Sequence, residues 1–406
     1  MSQVIHHRGP DHQGLWISQD KRTAMGHRRL SILDLTSEGN QPMVSHSGRY
    51  VIVFNGEIYN FKSLRDQLKN KNLRGSSDTE ILLQTIEEKG LNHTLQSLEG
   101  MFAFALLDKE NNKLSLVRDR LGEKPLYFAI HDGILIFASE LKSLKYHPGF
   151  RKELDTHSAA LYFQYGYVPG SNSIYKGVSK ILPGELIEFS LTDSLESKNR
   201  IYWDLSLPGG DGENKSDFYD LLTATDELEE LLLDVLSKES ISDVSLGSFL
   251  SGGIDSSLIT ALLQKVSSSA IETFSIGYEE DSHNEAPYAS KVATHLGTQH
   301  NELILSARNL RDTIPSLQSL FDEPFGDSSS VPTYLVSKFA KTKLTVCLSG
   351  DGGDELFGGY SRYQRANALW GSINSFPYPL RRLTNLPFNL LSKYETNSKL
   401  YQKFIK

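Results

Sequence analysis

Apolar and polar residues alternate in two different rhythms along the chain. In the first part, short β-rich runs recur between turn residues: RYVIVF at 49–54, GMFAFALLD at 100–108, KLSLVRD at 113–119, PLYFAI at 125–130 and ILIFASE at 134–140. Runs of β-branched and aromatic residues bounded in this way predict strands, and helical spacing at about 60–69 and 78–89 adds helices between them. This part reads as a layered, strand-rich domain. Further on the rhythm becomes helix 221–238, strand 244–250, helix 255–266, strand 271–277, helix 285–296 and strand 301–305. Alternation at that spacing predicts a doubly wound parallel sheet, so the expected fold class is α/β and α+β with two domains. Between the two rhythms DLSLPGGDGENKSDFYD, 204–220, replaces periodic apolar residues with glycine, proline, serine and acids. It reads as a linker between domains 1–203 and 221–406. The leucines of helix 221–238 lie at helical spacing opposite acids, the pattern of a packing helix.

Composition narrows the function classes. Hydrophobic residues make up 39% and charged residues 23% of the 406 residues, ordinary values for a soluble globular chain too long for one core. A formal net charge of −8 argues against a surface built to neutralise nucleic-acid phosphates. The longest apolar stretch, GMFAFALL at 100–107, has the length of a buried strand, so no membrane span is expected. The opening MSQVIHHRGPD lacks the apolar core of a secretory signal. One cysteine, Cys347, excludes an internal disulfide framework and fits a reducing compartment, which points to a cytoplasmic protein. Inside an apolar strand, Cys347 reads as a small core residue.

Two glycine-rich loops follow apolar strands in the second part, where a doubly wound sheet binds its ligands. In SGGIDSS, 251–257, Gly252 and Gly253 let backbone N–H groups approach an oxyanion, the serines add donors, and the next helix points its positive end inward. A capped strand-to-helix turn is the bland alternative. No GxxxxGK[ST] motif supplies a lysine, and Asp255 stands among the donors instead. An acid there makes sense if Mg2+ bridges it to a pyrophosphate held as a leaving group, with attack at the α phosphorus. The second loop, LSGDGGDELFGGY at 348–360, places Ser349 and Gly350 where a nucleotide can meet them and crowds Asp351, Asp354 and Glu355 together. Such acids repel one another unless a cation or an ammonium group lies between them; a solvated acidic turn is the alternative.

At these residues a resemblance becomes plain. SGGIDSS resembles the pyrophosphate loop of the ATP pyrophosphatase superfamily, and LSGDGGDELFGGY resembles the second signature of glutamine-hydrolysing asparagine synthetases. HHRGPD (6–11), GHRRLSILD (26–34), QPM (41–43), NGEIYN (55–60), SDTE (77–80), GMFAF (100–104), RDRLGEKPLY (118–127) and FASELK (137–142) are similar, in order, to that family's glutaminase domain. The resemblance implies an N-terminal-nucleophile αββα domain followed by an ATP-pyrophosphatase domain. It implies that Arg29 takes the glutamine carboxylate, that Asn55 and the Gly56 N–H form an oxyanion hole, and that Asp78 holds the α-ammonium with Glu57 lining the pocket. It further implies that ATP and pyrophosphate meet Phe249, Ser251, Gly252, Gly253, Asp255, Ser256, Ile276, Ser349 and Gly350. Aspartate would meet Asp351 and Asp354, Mg2+ would meet Asp255 and Asp351, and Asp351 would also serve the acyl-adenylate chemistry. The reaction implied is amidation of aspartate through β-aspartyl-AMP, using ATP, Mg2+ and nitrogen from glutamine or ammonia, in a possible homodimer. DEPFGDSS, 322–329, either supports Mg2+ or aspartate or caps the helix after it.

The chain departs from the family at both ends. The family nucleophile is an N-terminal cysteine, and Ser2 is out of register for that role, so the chain as written is expected not to hydrolyse glutamine. The family's later helical region supplies further basic residues, and none in 361–406 is assigned that role. An omitted or misassigned start and a fragment at the C-terminal side would explain both departures. Two other enzyme readings retain acyl-adenylate chemistry: a β-lactam-synthetase-like ligase and an amidotransferase acting on sugar precursors. A third reading is an inactive nucleotide-binding protein.

Overall fold

The computed structural model describes residues 1–192, 195–205, 220–280 and 284–374. The linker assigned to 204–220 therefore lies almost wholly outside the described residues, as does 375–406. The chain divides into two compact units, Met1–Ser349 and Gly350–Lys406, so both sequence rhythms belong to the first. No helix among the described residues is long and apolar enough to cross a membrane.

In chain order, the first rhythm gives β1 (His12–Ile17), β2 (Ala24–Arg29), β3 (Met43–Val44), β4 (Tyr50–Ile58), α1 (Phe61–Asp66), α2 (Asp78–Lys89), α3 (Leu91–Ser97), β5 (Gly100–Asp108) and β6 (Lys113–Arg118). It continues with β7 (Tyr127–His131), β8 (Ile134–Ala138), α4 (Leu141–Lys145), α5 (Thr156–Tyr165), β9 (Val178–Lys180), β10 (Glu185–Ser190) and β11 (Ser197–Ile201). A large antiparallel sheet has the order β11-β10-β6-β5-β4-β3, and a smaller one has the order β8-β7-β9. Strand side chains alternate between faces, and β4 is apolar on both. Ile52 and Phe54 pack with Leu64, Ile81, Leu82 and Ile86 of α1 and α2. Val51 and Val53 face Leu126 and Ile181 together with Phe128 and Phe137 of the smaller sheet. The far side of that sheet packs Ala129 and Ile136 on Leu141 and Leu144 of α4. Helix, sheet, sheet, helix is the αββα order the resemblance implied. β1 and β2 form a separate hairpin.

The second rhythm gives α6 (Leu221–Glu239), β12 (Leu246–Phe249), α7 (Ile254–Val266), β13 (Glu272–Tyr278), α8 (Ala286–Leu296), β14 (Gln299–Leu305), α9 (Ala307–Leu320), α10 (Ser330–Ala340) and β15 (Val346–Leu348). All pairings in the sheet are parallel, and the order is β14-β13-β12-β15. The chain moves outward from β12 to β14 and then returns to β12's other side. That reversal is a topological switch point, the place where open α/β sheets bind ligands beyond their carboxyl ends. The second unit contributes α11 (Gly353–Phe357) and α12 (Ser361–Asn374).

Candidate functional site

At the switch point β12 ends at Phe249 and the chain turns through Ser251, Gly252 and Gly253 into α7. Gly252 has φ +83, and a Cβ there would lie 2.7 Å from the Ala289 nitrogen and 2.8 Å from the Tyr288 Cβ. Only glycine fits a turn pressed this closely against α8. The loop closes on itself: Ser251 N donates to Ser256 Oγ at 3.2 Å, the two serine hydroxyls lie 2.9 Å apart, and Gly253 N donates to Ser251 Oγ at 3.2 Å. The opening N–H groups of α7 have no helical acceptor, and Asp255 stands in that first turn. The result is a compact turn at a helix N-terminus, with Asp255 in the first turn of that helix, an arrangement able to hold an anion. Phe249 pairs with Phe274, and Ile276 lies two residues further along β13, so both occupy the carboxyl edge of the sheet. Ser349 follows β15, which pairs with β12 up to Leu348 opposite Ser248. Among the described residues no group of three or more histidines, cysteines or acids is gathered for a metal. A lone carboxylate beside a phosphate cradle still fits Mg2+, which takes most of its ligands from water and phosphate.

In the second unit the acidic loop turns at Gly352, φ +91, with Gly353 N donating to Gly350 O at 3.2 Å. Gly359 N donates to the Asp354 carbonyl at 3.0 Å, and the Asp354 carboxylate occupies the space a Cβ on Gly359 would fill. Asp351 is exposed and Asp354 half-buried. Glu355 accepts the Tyr360 hydroxyl at 2.6 Å, which holds its carboxyl below the usual range.

The residues expected to bind glutamine come together around α2 and the end of β4. Asp78 opens α2, is fully buried, and accepts Ile58 N at 2.9 Å and Thr79 N at 2.7 Å. Burial holds its carboxyl above the usual range. The Glu57 carboxyl is also held up, by burial first and then by the charge of Asp78, with Lys124 opposing. One Glu57 oxygen and the Asn55 amide nitrogen are buried without a partner. At Gly56 a Cβ would strike the Met101 carbonyl and Phe102 backbone across the strand pair. Arg29 is buried at the end of β2, and its two Nη atoms donate to Thr36 O (2.7 Å), Asn40 Oδ1 (3.0 Å), Leu33 O (3.1 Å) and Asp34 O. Its fork is thus engaged by its own following loop.

Sequence reasoning missed the residues that hold this cluster. Asp34, buried in the Arg29 loop, accepts Thr36 N at 3.1 Å and Ser76 N at 2.8 Å, which joins that loop to the start of α2. Asp119 accepts Phe102 N, Leu121 N, Glu123 N and Lys124 N at 2.9–3.1 Å, which folds the RDRLGEK turn and fixes Lys124. His27 bonds Phe54 O through Nε2 at 3.0 Å. A carbonyl only accepts, so Nε2 carries the proton; burial draws the ring down to about 4, leaving it neutral with Nδ1 unpaired. His27 and Asn55 open on a cavity of about 470 Å³ lined also by Val53, Ala103, Leu135 and Ile136. The signal for these residues was present in the quoted motifs GHRRLSILD and RDRLGEKPLY, but nothing in their spacing names the amides they meet.

DEPFGDSS divides between two structural tasks. Asp322 accepts Lys142 N at 2.9 Å, and its other oxygen lies 3.6 Å from Lys142 Nζ. Glu323 accepts Ile174 N at 2.7 Å and pairs with Lys180 Nζ at 2.7 Å. Both acids therefore clasp the αββα layers. Asp327 takes Ser329 N at 2.9 Å just before α10. Cys347 lies half-buried in β15, packed against the Phe274 cluster, and burial pushes its thiol up to about 11.

Residues 1–203 match the family model described as a glutamine amidotransferase domain, and residues 227–406 match that described as asparagine synthase. The chain is 36% identical over 379 residues to "Putative asparagine synthetase, glutamine-hydrolyzing, 2" of Methanocaldococcus jannaschii, covering 89% of this chain and 72% of that protein. It is 35% identical to glutamine-hydrolyzing asparagine synthetase 1 of Bacillus subtilis, covering 91% of this chain and 56% of that protein. With asparagine synthetase 3 of the same organism it shares 31% identity, over 97% of this chain and 64% of the relative. The chain thus spans between about half and three quarters of these relatives. The αββα layers, the cradle at the switch point and both family matches run in the same order along the sequence, and the chain belongs to the glutamine-hydrolysing asparagine synthetase family.

Proposed function

We propose that the chain catalyses the ATP-dependent amidation of aspartate to asparagine, with glutamine or ammonia as the nitrogen source. The observation that supports this reading is the Ser251–Ser257 turn: backbone amides and serine hydroxyls at a helix N-terminus, Asp255 in the first helical turn, and no lysine. Such a turn suits a pyrophosphate that departs. Phe249, Ile276, Ser349 and Gly350 would frame the nucleotide, with Ser251, Gly252, Gly253 and Ser256 on its phosphates. Mg2+ held by Asp255 and Asp351 would neutralise charge on the leaving pyrophosphate. The aspartate β-carboxylate, positioned by Asp354, attacks the α phosphorus, and the bond to pyrophosphate breaks with its electron pair. Ammonia then adds to the acyl carbon, AMP leaves, and Asp351 takes the surplus proton.

In the glutamine pocket, Asp78 and Glu57 would receive the α-ammonium, and Asn55 Nδ2 with the Gly56 N–H would receive the amide oxygen as it gains charge. Arg29 would take the carboxylate once its capping loop shares the fork. Cys347 is not the nucleophile, because a thiol raised to about 11 is protonated at neutral pH. Exchange of labelled pyrophosphate into ATP tests the synthetase chemistry. Aspartate-dependent exchange is expected. Exchange with another acid selects a different ligase, and no exchange with any acid refutes acyl-adenylate formation.

A further inference from the structure

The proposed glutamine pocket lies in the αββα layers, yet one of its supports comes from the nucleotide-binding part. Asp243 sits between α6 and β12. Its Oδ2 accepts Asp34 N at 2.8 Å, and its own N–H donates to Ile32 O at 3.0 Å. Asp34 is the hub described above: its carbonyl receives Arg29, and its carboxylate holds Ser76 N, two residues before Asp78. A single residue thus sets the loop on which both proposed charge partners of glutamine depend. Nearby, Ile241 packs on the core that includes α1 and α2, and Lys238 pairs with Glu99 at 3.1 Å, so the segment leading into Asp243 is fixed on the same layers. Only two residues separate Asp243 from β12, and β12 ends two residues before Ser251.

We infer that Asp243 is a positioning residue for glutamine: the synthetase half, through this carboxylate, holds the Arg29 loop and the start of α2 in the arrangement that binds the substrate. The inference rests on the glutamine-site reading above. Asp243 touches no proposed ligand, and it is exposed, so its contribution is the placement of the Asp34 amide and not burial of its own side chain.

Calorimetric titration of the full chain with glutamine, and separately with Mg-ATP, tests it. Asp243→Ala should weaken glutamine about tenfold, the loss of one hydrogen bond to the Asp34 amide, and leave Mg-ATP within about twofold. Asp243→Asn should stay near the parent for both ligands, because its amide oxygen accepts the same N–H. Unchanged glutamine affinity in Asp243→Ala, equal weakening of both ligands, or an Asn variant as impaired as Ala overturns the inference. Aspartate-dependent pyrophosphate exchange in the parent, measured alongside, separates the two readings. Exchange without any glutamine binding defeats this inference and leaves the synthetase reaction standing, whereas absence of both defeats both.

Discussion

Glu57 and Asp78 put two carboxyl groups into one buried site, and both are held above the ordinary range because burial disfavours their charged forms, with the charge of Asp78 adding to the rise at Glu57. The folded chain therefore keeps a proton there that the unfolded chain releases, so stability falls as pH rises from the usual carboxylate range through the raised values. Glu57→Gln removes one of the two charges. It should melt higher than the parent at pH 8, by roughly 2 °C, and lose that advantage at pH 5, since every tenfold change in proton affinity is worth about 1.4 kcal/mol. Thermal melts at the two pH values check this, and a pH-independent difference contradicts it. The same variant should bind glutamine more weakly, because the ammonium that would relieve the repulsion loses a partner. At this scale the sequence exposes the proposed ligand-binding groups through short motifs such as NGEIYN and SDTE. It hides Asp34, Asp119 and Asp243, whose partners are backbone amides made neighbours only by folding.

Among the elements, the strand-to-helix turn before α7 is the most constrained. Gly252 combines φ +83 with contact against the start of α8, so Gly252→Ala meets both backbone strain and a clash. The variant is expected to lose about 1–3 kcal/mol of stability, read by denaturant unfolding, and to lose Mg-ATP affinity more than tenfold, read by calorimetry. Retained affinity would mean that the turn does not shape the phosphate site. Elements with continuous apolar runs or clean helical spacing were legible: GMFAFALLD became β5 and 78–89 became α2, both with the expected bounds. The β1–β2 hairpin was not foreseen, because HQGLWI and AMGHRR carry glycine, histidine and arginine on a half-exposed pair. β11, SKNRI, is exposed throughout and owes its strand form to pairing with β10. α9 carries Pro315 inside, which argues against a helix in any local reading.

Within the first unit, the two sequence rhythms are joined by acids reaching out of DEPFGDSS. Glu323 pairs with Lys180 where their side chains are only 12% and 15% exposed, and it also satisfies Ile174 N. Glu323→Ala leaves the Ile174 amide without its acceptor and a mostly buried ammonium without its counter-charge, held only by the Val168 carbonyl, at a cost of about 3 kcal/mol. Adding Lys180→Met should recover a substantial part of that loss. A double-mutant cycle by chemical denaturation measures the coupling, and strictly additive losses would deny the clasp. The sequence by itself determined the two-part α/β character, the glycine-rich loop with an acid in place of a lysine, and the family, because periodicity and contiguous motifs are local properties. Tertiary structure alone decided that Asp322 and Glu323 of DEPFGDSS clasp the αββα layers. It also decided that Asp243 reaches the Arg29 loop, and that Glu57 and Asp78 share one buried environment. Hydrogen bonds and desolvation depend on distances between residues far apart in sequence, and only the folded chain sets those distances.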